Sequence, residues 1–241
     1  MPCLHLGRYR ARRADSAADL RAALDLRARC FRDGAADEDV FDARFQHVLI
    51  EDGSSGRLLG TYRALLLANG SELGRSYAAQ FYGLGALSRY RAPMLEVGRF
   101  CLAPERRDAD LVRIAWGALT RQVDALEVGM LFGCSSFAGT DPAVHRDTFA
   151  LLHARHRAPR AWRPAVKAPD VVQLDGATVA TDARRVAAQL PPLLRSYLAM
   201  GGWVSDHAVR DHDLGTLHVF TGLEIASIPP ARARALRLVA G

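Results

Sequence analysis

The residues best suited to chemistry lie in the stretch Leu95-Glu96-Val97-Gly98-Arg99-Phe100-Cys101-Leu102, an apolar run that reads as a β-strand. A carboxylate such as Glu96 can accept a proton, and a guanidinium such as Arg99 can grip a carboxylate bidentately. Strand side chains alternate between faces, so a regular strand would hold Glu96 and Arg99 apart. A bulge near Gly98 would bring both to one site, since glycine tolerates that backbone. Without the bulge they read equally well as surface charges on an edge strand. Two other places carry convergent polar groups. One is Asp37-Glu38-Asp39-Val40-Phe41-Asp42, with His47 following; the other is Gly60-Thr61-Tyr62-Arg63.

Elements must position these groups. Leu4 to Ala11 reads as a first strand, and Ser16 with Asp19 has capping-box spacing at the start of a helix. Leu20, Leu24, Ala28 and Phe31 recur at helical period and give that helix a core face. Strands His47 to Ile50 and Leu58 to Leu67 flank the turn Asp52-Gly53-Ser54-Ser55-Gly56. A weaker strand is expected over Ser76 to Tyr82. After Pro104 a helix runs from about Ala109 to Glu127, followed by a strand from Gly129 to Ser135 and a helix from Pro142 to Ala154. Beyond the prolines Pro159, Pro164 and Pro169, two helical pieces, Thr181 to Gln189 and Pro191 to Met200, precede a late strand, His218 to Leu223. The expected fold class is α/β (α+β), a mixed, mostly antiparallel central sheet flanked by helices. Residues 1–160 would form the core, and 161–241 an extension packing on it.

The 241 residues are 49% apolar, and no apolar run reaches the roughly 18 residues that cross a bilayer. With no signal-peptide block at the start, a cytoplasmic protein is expected. Cys3, Cys30, Cys101 and Cys134 are scattered, which suits free thiols better than disulfides or zinc. Asp211, His212 and Asp213 form one isolated cluster, so no metal site is assigned. The net charge of +6 rests on arginine, Lys167 being the only lysine. A basic surface suits an acidic partner, whether a carrier protein, a membrane face or nucleic acid. The arginines are spread along the chain, which argues against a dedicated nucleic-acid surface.

Taken in order, these segments resemble the ornithine-lipid branch of the GNAT acyltransferases. That branch comprises the L-ornithine N-alpha-acyltransferases, which are related to the acyl-homoserine-lactone synthases. The resemblance is carried by Phe31, Asp39, Asp42, His47, Gly60 to Arg63, Ser76-Tyr77 with Phe81, and Glu96 to Cys101 followed by Pro104-Glu105-Arg106-Arg107. It extends through Leu190 to Leu198 and Asp211 to Thr216. It implies transfer of a (3-hydroxy)fatty acyl group from the phosphopantetheine thioester of acyl carrier protein to the alpha-amine of ornithine, with no resident cofactor. The product would be a lipid, so peripheral contact with the inner membrane face is a corollary.

On that reaction Glu96 serves as the base and His47 is its rival. Arg63 and Arg99 suit the acceptor carboxylate, and Asp39 and Asp42 suit its side-chain ammonium. Backbone amides beside a bulge near Cys101 would stabilise the oxyanion, and Cys101, Ala103, Arg106, Arg107 and Arg113 would meet the donor and its carrier. The helix start Arg106 to Asp110 lacks glycine and carries two carboxylates, which disfavours a diphosphate. Trp116, Phe132 and Phe137 could wall the acyl chain. Two other readings stay open: a relative with another acceptor, making acyl-homoserine lactones or other N-acyl amino acids, and a basic non-catalytic module.

Overall fold

A computed structural model describes residues 3–105, 108–175, 186 and 189–241. The chain divides into two compact units. The first comprises residues 1–66, 95–128 and 229–241, and the second 67–94 and 129–228.

In the first unit the strand order is β1 (Leu4–Leu6), β2 (Tyr9–Arg13), β3 (Gln46–Asp52), β4 (Leu58–Leu67) and β6 (Met94–Leu102). The pairings β1–β2, β2–β3 and β3–β4 are antiparallel. Leu4 to Ala11 is therefore a hairpin, not the single strand expected. Gly7, at φ 56°, begins a two-residue turn and supplies the left-handed backbone that such turns require.

Helix α1 (Ala17–Phe31) starts where Ser16 accepts the Asp19 amide. Asp19 itself binds Arg12 at 2.7 and 2.8 Å, which ties the helix start to β2. The fully buried stripe of α1 is Ala23, Leu26 and Arg27, turned by about one residue from the face that its leucines predict. Helix α2 (Ala109–Ala125) begins with Asp108 accepting the Asp110 amide at 2.9 Å and the Tyr9 hydroxyl at 2.5 Å. Its Leu111, Ile114, Ala115 and Ala118 pack against Ile50, Leu59 and Phe100. Leu26 of α1 packs instead with Cys101 and Ala103. Phe100 and Cys101 thus mark opposite faces of β6, the first toward α2 and the second toward α1.

A C-terminal helix that sequence periodicity did not reveal, Pro230–Ala240, lies along α2. Arg237 pairs with Asp124 at 2.9 Å, and Arg121 donates to the carbonyls of both Cys3 and Ala240.

The second unit holds β7 (Met130–Ala138), β11 (Thr216–Glu224), β10 (Trp203–Asp211) and β9 (Val171–Gln173), paired antiparallel in that order. A separate two-stranded piece joins β5 (Tyr82–Gly83) to β8 (Ala165–Val166). Helix α3 (Arg146–Arg155) and helix α4 (Pro192–Ala199) contribute Phe149, Leu152, Leu194 and Leu198 to a core with Phe137 and Val219. Phe132, Phe220 and Trp203 form a stack with ring centroids 5.8 Å apart. Trp203 faces Gly222 across the β10–β11 ladder, where a Cβ would come within 2.4 Å of the indole. The strand expected over Ser76 to Tyr82 is mostly a 3-10 turn. The Ser76 hydroxyl donates to Leu73 O and accepts the Ala79 amide, which competes with extended backbone. The helical piece Thr181 to Gln189 lies almost wholly outside the described residues.

An α/β (α+β) architecture, with helices packed on mostly antiparallel strands, is thus what the chain forms. In the first unit, β4 comes close to β6 at Gly60. A Cβ there would stand 2.7 Å from a Leu102 methyl and 3.2 Å from the Cys101 carbonyl. Gly60→Val should therefore overpack this junction and lower stability by about 1–3 kcal/mol in urea denaturation.

Candidate functional site

Arg27 has no business on the buried stripe of α1 unless its charge is matched, since an unpaired buried ion is prohibitively costly. The loop after the helix supplies the match. Arg27 Nε donates to Asp37 at 2.8 Å, and its Nη1 donates to Asp42 at 2.5 Å, with side chains only 1% and 5% exposed for the second pair. Asp42 then bridges to Arg63 Nη1 of β4 at 2.6 Å. Arg63 also meets Asp39 through two bonds, at 2.7 and 2.8 Å. Arg99 of β6 closes the arrangement, 3.0 Å from Asp37 and 3.5 Å from Asp39, and Arg32 adds a longer bond to Asp37 at 3.3 Å.

The strand geometry explains why these groups meet. His47 pairs directly with Arg63 across β3–β4. Arg99 adopts φ 51°, so the left-handed residue of β6 is Arg99 itself, one position past the expected Gly98. A Cβ on Gly98 would point at Arg63 Nε from 4.0 Å, while Arg99 reaches Asp39, a partner of the same arginine. Two successive residues of β6 therefore look toward one face, as at a bulge. Leu95 lines a cavity on the α2 side together with Ala64 and Leu66. Alternation then sends Glu96, 1% exposed, to the face that carries Arg63.

Burial pushes the Asp42 carboxyl upward, but the bonds from Arg27 and the Asp39 amide, with the charges of Arg27 and Arg63, outweigh it and leave the pKa at about 2. Asp39 is shifted the same way: burial opposes, and its bonds to Arg63 prevail. His47 moves down because it is buried, with Arg27 and Arg63 adding repulsion against partial relief from Asp42. Its Nε2 lies 3.2 Å from the Asp42 carbonyl, an acceptor, so the ring proton sits on Nε2. Nδ1 is then a bare lone pair, and it has no hydrogen-bond partner among the described residues.

Four guanidinium groups, Arg27, Arg32, Arg63 and Arg99, thus face three carboxylates, and Glu96 on the same face levels the count. The cluster reaches the surface at Asp39, Arg32 and Arg99, whose side chains are 24%, 22% and 10% exposed, and Asp39 and Arg99 lie side by side. A carboxylate and a guanidinium side by side suit a small zwitterion.

Other expected site residues lie elsewhere. Cys101 is buried, and its contact with Cys30 together with that burial pushes the thiol well up, which suits a packing role. The Ala103 amide is committed to Leu59 O at 2.8 Å. Arg113 is exposed and bonds Asp110 at 2.8 Å. Arg106 and Arg107 lie outside the described residues. Phe132 and Phe137 belong to the second unit's core, and Trp116 is buried on α2. His212 pairs with Asp170, whereas Asp211 accepts the Leu214 amide, so the two do not converge. Sequence reasoning passed over Arg27, and it named Asp37 in the acidic segment without giving it a role. The available signal was an arginine three residues beyond Leu24, on an otherwise apolar helical stripe.

The family model for the acetyltransferase (GNAT) domain matches residues 22–117, the span that contains this cluster. An L-ornithine N(alpha)-acyltransferase of Rhodobacter capsulatus is 31% identical over 88% of this chain and 88% of its own. The chain belongs to the L-ornithine N-alpha-acyltransferase family. A Brucella abortus member is 30% identical over 92% of this chain and 86% of its own. Among solved structures, an N-acyl amino acid synthase from uncultured soil microbes aligns over 97% of both chains, with 11% identity and a TM-score of 0.48. In this member of the L-ornithine N-alpha-acyltransferase family, no helix of the described residues is long and apolar enough to cross a membrane.

Arg27→Leu leaves Asp37 and Asp42 buried without their main partner. Chemical denaturation should register a loss of about 3–5 kcal/mol. The pH dependence follows from the sign of the Asp42 shift. A folded pKa of about 2 against an ordinary 3.8 adds stability that is fully present above pH ~4 and is lost as the pH falls toward 2. Asp42→Asn should flatten that acid limb in thermal melts between pH 5 and 2, at the expense of stability at neutral pH.

Proposed function

We propose that the chain transfers a (3-hydroxy)fatty acyl group from acyl carrier protein to the alpha-amine of L-ornithine, giving a lyso-ornithine lipid. The observation that carries this reading is a buried acid–arginine cluster in which a partly exposed carboxylate, Asp39, stands beside a partly exposed guanidinium, Arg99. It stands in a chain whose relatives are named for that acceptor. Arg99 would hold the ornithine carboxylate and Asp39 its side-chain ammonium. Arg63 and Asp42 keep those two groups oriented, with Arg27 and Asp37 behind them.

Glu96 takes a proton from the alpha-ammonium, and the free amine attacks the thioester carbonyl carbon. The tetrahedral oxyanion faces backbone amides of β6 near Cys101. It collapses by breaking the C–S bond; the attacking nitrogen gives up its second proton, and the departing pantetheine thiolate takes up one proton to leave as the thiol. Binding and orientation supply much of the acceleration, because the two reactants are held for direct attack. His47 is a second reading for the base, favoured by its open Nδ1 and by a pKa that leaves it neutral at pH 7.

The start of α2 supports a carrier-protein donor over free coenzyme A. The Asp110 amide of its first turn is taken by the Asp108 carboxylate, and that negative charge repels a diphosphate. Arg113, and Arg106 and Arg107 ahead of the helix, would meet the acidic surface of the carrier. The lipid product suits peripheral residence at the inner membrane.

Purified protein given 3-hydroxyacyl carrier protein and ornithine should release thiol and form N-acylornithine by mass spectrometry. Product that forms only with another amine would replace ornithine as the acceptor. Glu96→Gln should lower kcat by about 10²–10⁴-fold while His47→Gln does much less. The opposite order would assign the base to His47.

A further inference from the structure

Helix α1 meets β6 through two cysteines. Leu26 and Cys30, four residues apart, share one face of the helix. That face packs on Cys101 of β6 and on Ala103 just beyond it. Cys30 Sγ also lies 3.4 Å from the Leu102 carbonyl, which fixes the thiol over the same stretch of chain. The two sulfurs differ in access: Cys101 is 6% exposed, whereas Cys30 is half-buried and open to solvent on one side. They differ in acidity in the same sense. Contact with Cys101 draws the Cys30 thiol down, burial opposing and Arg29 assisting. The same contact, together with burial, pushes Cys101 well up. The proton that remains on the pair therefore stays on Cys101, and thiolate character falls on the sulfur that solvent reaches.

Either cysteine alone would be an inert packing residue. In contact across two elements, one reachable and one shielded, they have the layout of an attacking thiol and its resolving partner. We propose that Cys30 and Cys101 are a peroxide-sensitive pair whose reversible disulfide clips the last turn of α1 to β6. The Cys30 thiolate attacks one peroxide oxygen, the O–O bond breaks, and hydroxide departs to be protonated to water, leaving a sulfenic acid. Cys101 sulfur then attacks Cys30 sulfur. The S–S bond forms as the S–O bond breaks, and the leaving hydroxide takes the Cys101 proton to become the second water. The two thiols have then lost two electrons, and the peroxide has gained them. A dithiol reverses the bond by exchange. The clip joins the neighbour of Phe31 to the strand that carries Arg99, and the Phe31 ring already lies 5.9 Å from the Arg99 guanidinium carbon. Nothing in the chemistry of the pair depends on which amine is acylated.

The test treats the whole reduced protein with hydrogen peroxide, blocks remaining thiols with iodoacetamide, and maps tryptic peptides by mass spectrometry. The expected product is a linked mass joining residues 30–32 to residues 100–106 within one chain, and dithiothreitol should abolish it. Before oxidation, iodoacetamide at neutral pH should modify Cys30 at least about tenfold faster than Cys101. Cys30→Ser should lose the linked mass and leave the shielded Cys101 reduced at the same peroxide dose. Oxidation of Cys30 onward to the sulfinic acid beside a reduced Cys101 would overturn the proposal. Links that join Cys3 or Cys134 in place of this pair would also overturn it. So would Cys30 and Cys101 both still reduced once the exposed Cys3 has been oxidised, because simple exposure would then govern.

Discussion

A guanidinium inside a protein must be matched or the fold does not form, and the first unit is organised around that requirement at Arg27. The residue projects from α1 into a space with almost no solvent, where only fixed carboxylates can replace its hydration. Asp37 and Asp42 do so from the loop after α1, which also buries the Phe41 ring against Phe45. The same Asp42 is shared with Arg63, which carries the constraint from helix to sheet, and Asp37 passes it on to Arg99. Asp37 and Asp42 each serve more than one guanidinium, so the loop that carries them is tied to helix and sheet at once.

That network accounts for a backbone irregularity in β6. A non-glycine residue at φ 51° is sterically disfavoured, and it persists only where its surroundings hold it. Arg99 is held by two carboxylates and by the Phe31 ring, 5.9 Å from its guanidinium carbon. The irregularity lets β6 present Arg99 and Glu96 to the face where β4 presents Arg63 and β3 presents His47. Preorganised groups of opposite sign, already desolvated, can orient a small charged acceptor with little further rearrangement.

Much of this was legible from residue patterns, though unevenly. The strands around His47, Leu58 to Leu67 and Leu95 to Leu102 declare themselves by apolar runs between turns, and α2 by its periodic stripe. Glu96, Arg99 and Arg63 stand out because charges rarely interrupt such runs. A bulge was inferable from Gly98, but its placement at Arg99 depends on ion pairs that no local pattern encodes. Loop carboxylates are usually solvated, so residue type alone does not mark Asp39 and Asp42 as part of a buried cluster. Only the long-range meeting with Arg27 and Arg63 reveals why they are buried. Trp203 to Asp211 escaped notice as a strand because its polar residues, Ser205, Asp206 and His207, break the apolar run, yet Ser205 and His207 are fully buried. Pro230 to Ala240 looks like a basic surface segment until its small residues are seen against α2.

The clasp at Arg121 has a consequence for the order of assembly. One side chain from mid-sequence holds carbonyls of Cys3 and Ala240, residues separated by nearly the whole chain. The acid–arginine cluster needs nothing beyond Arg99 in sequence, so it can be complete in the nascent polypeptide while the ribosome is still translating the second unit. The outer side of α2 stays bare until Ala240 has cleared the exit tunnel. During that interval an apolar helix face is open to chaperones, and the first unit gains its final cover only after synthesis has passed through all of the other.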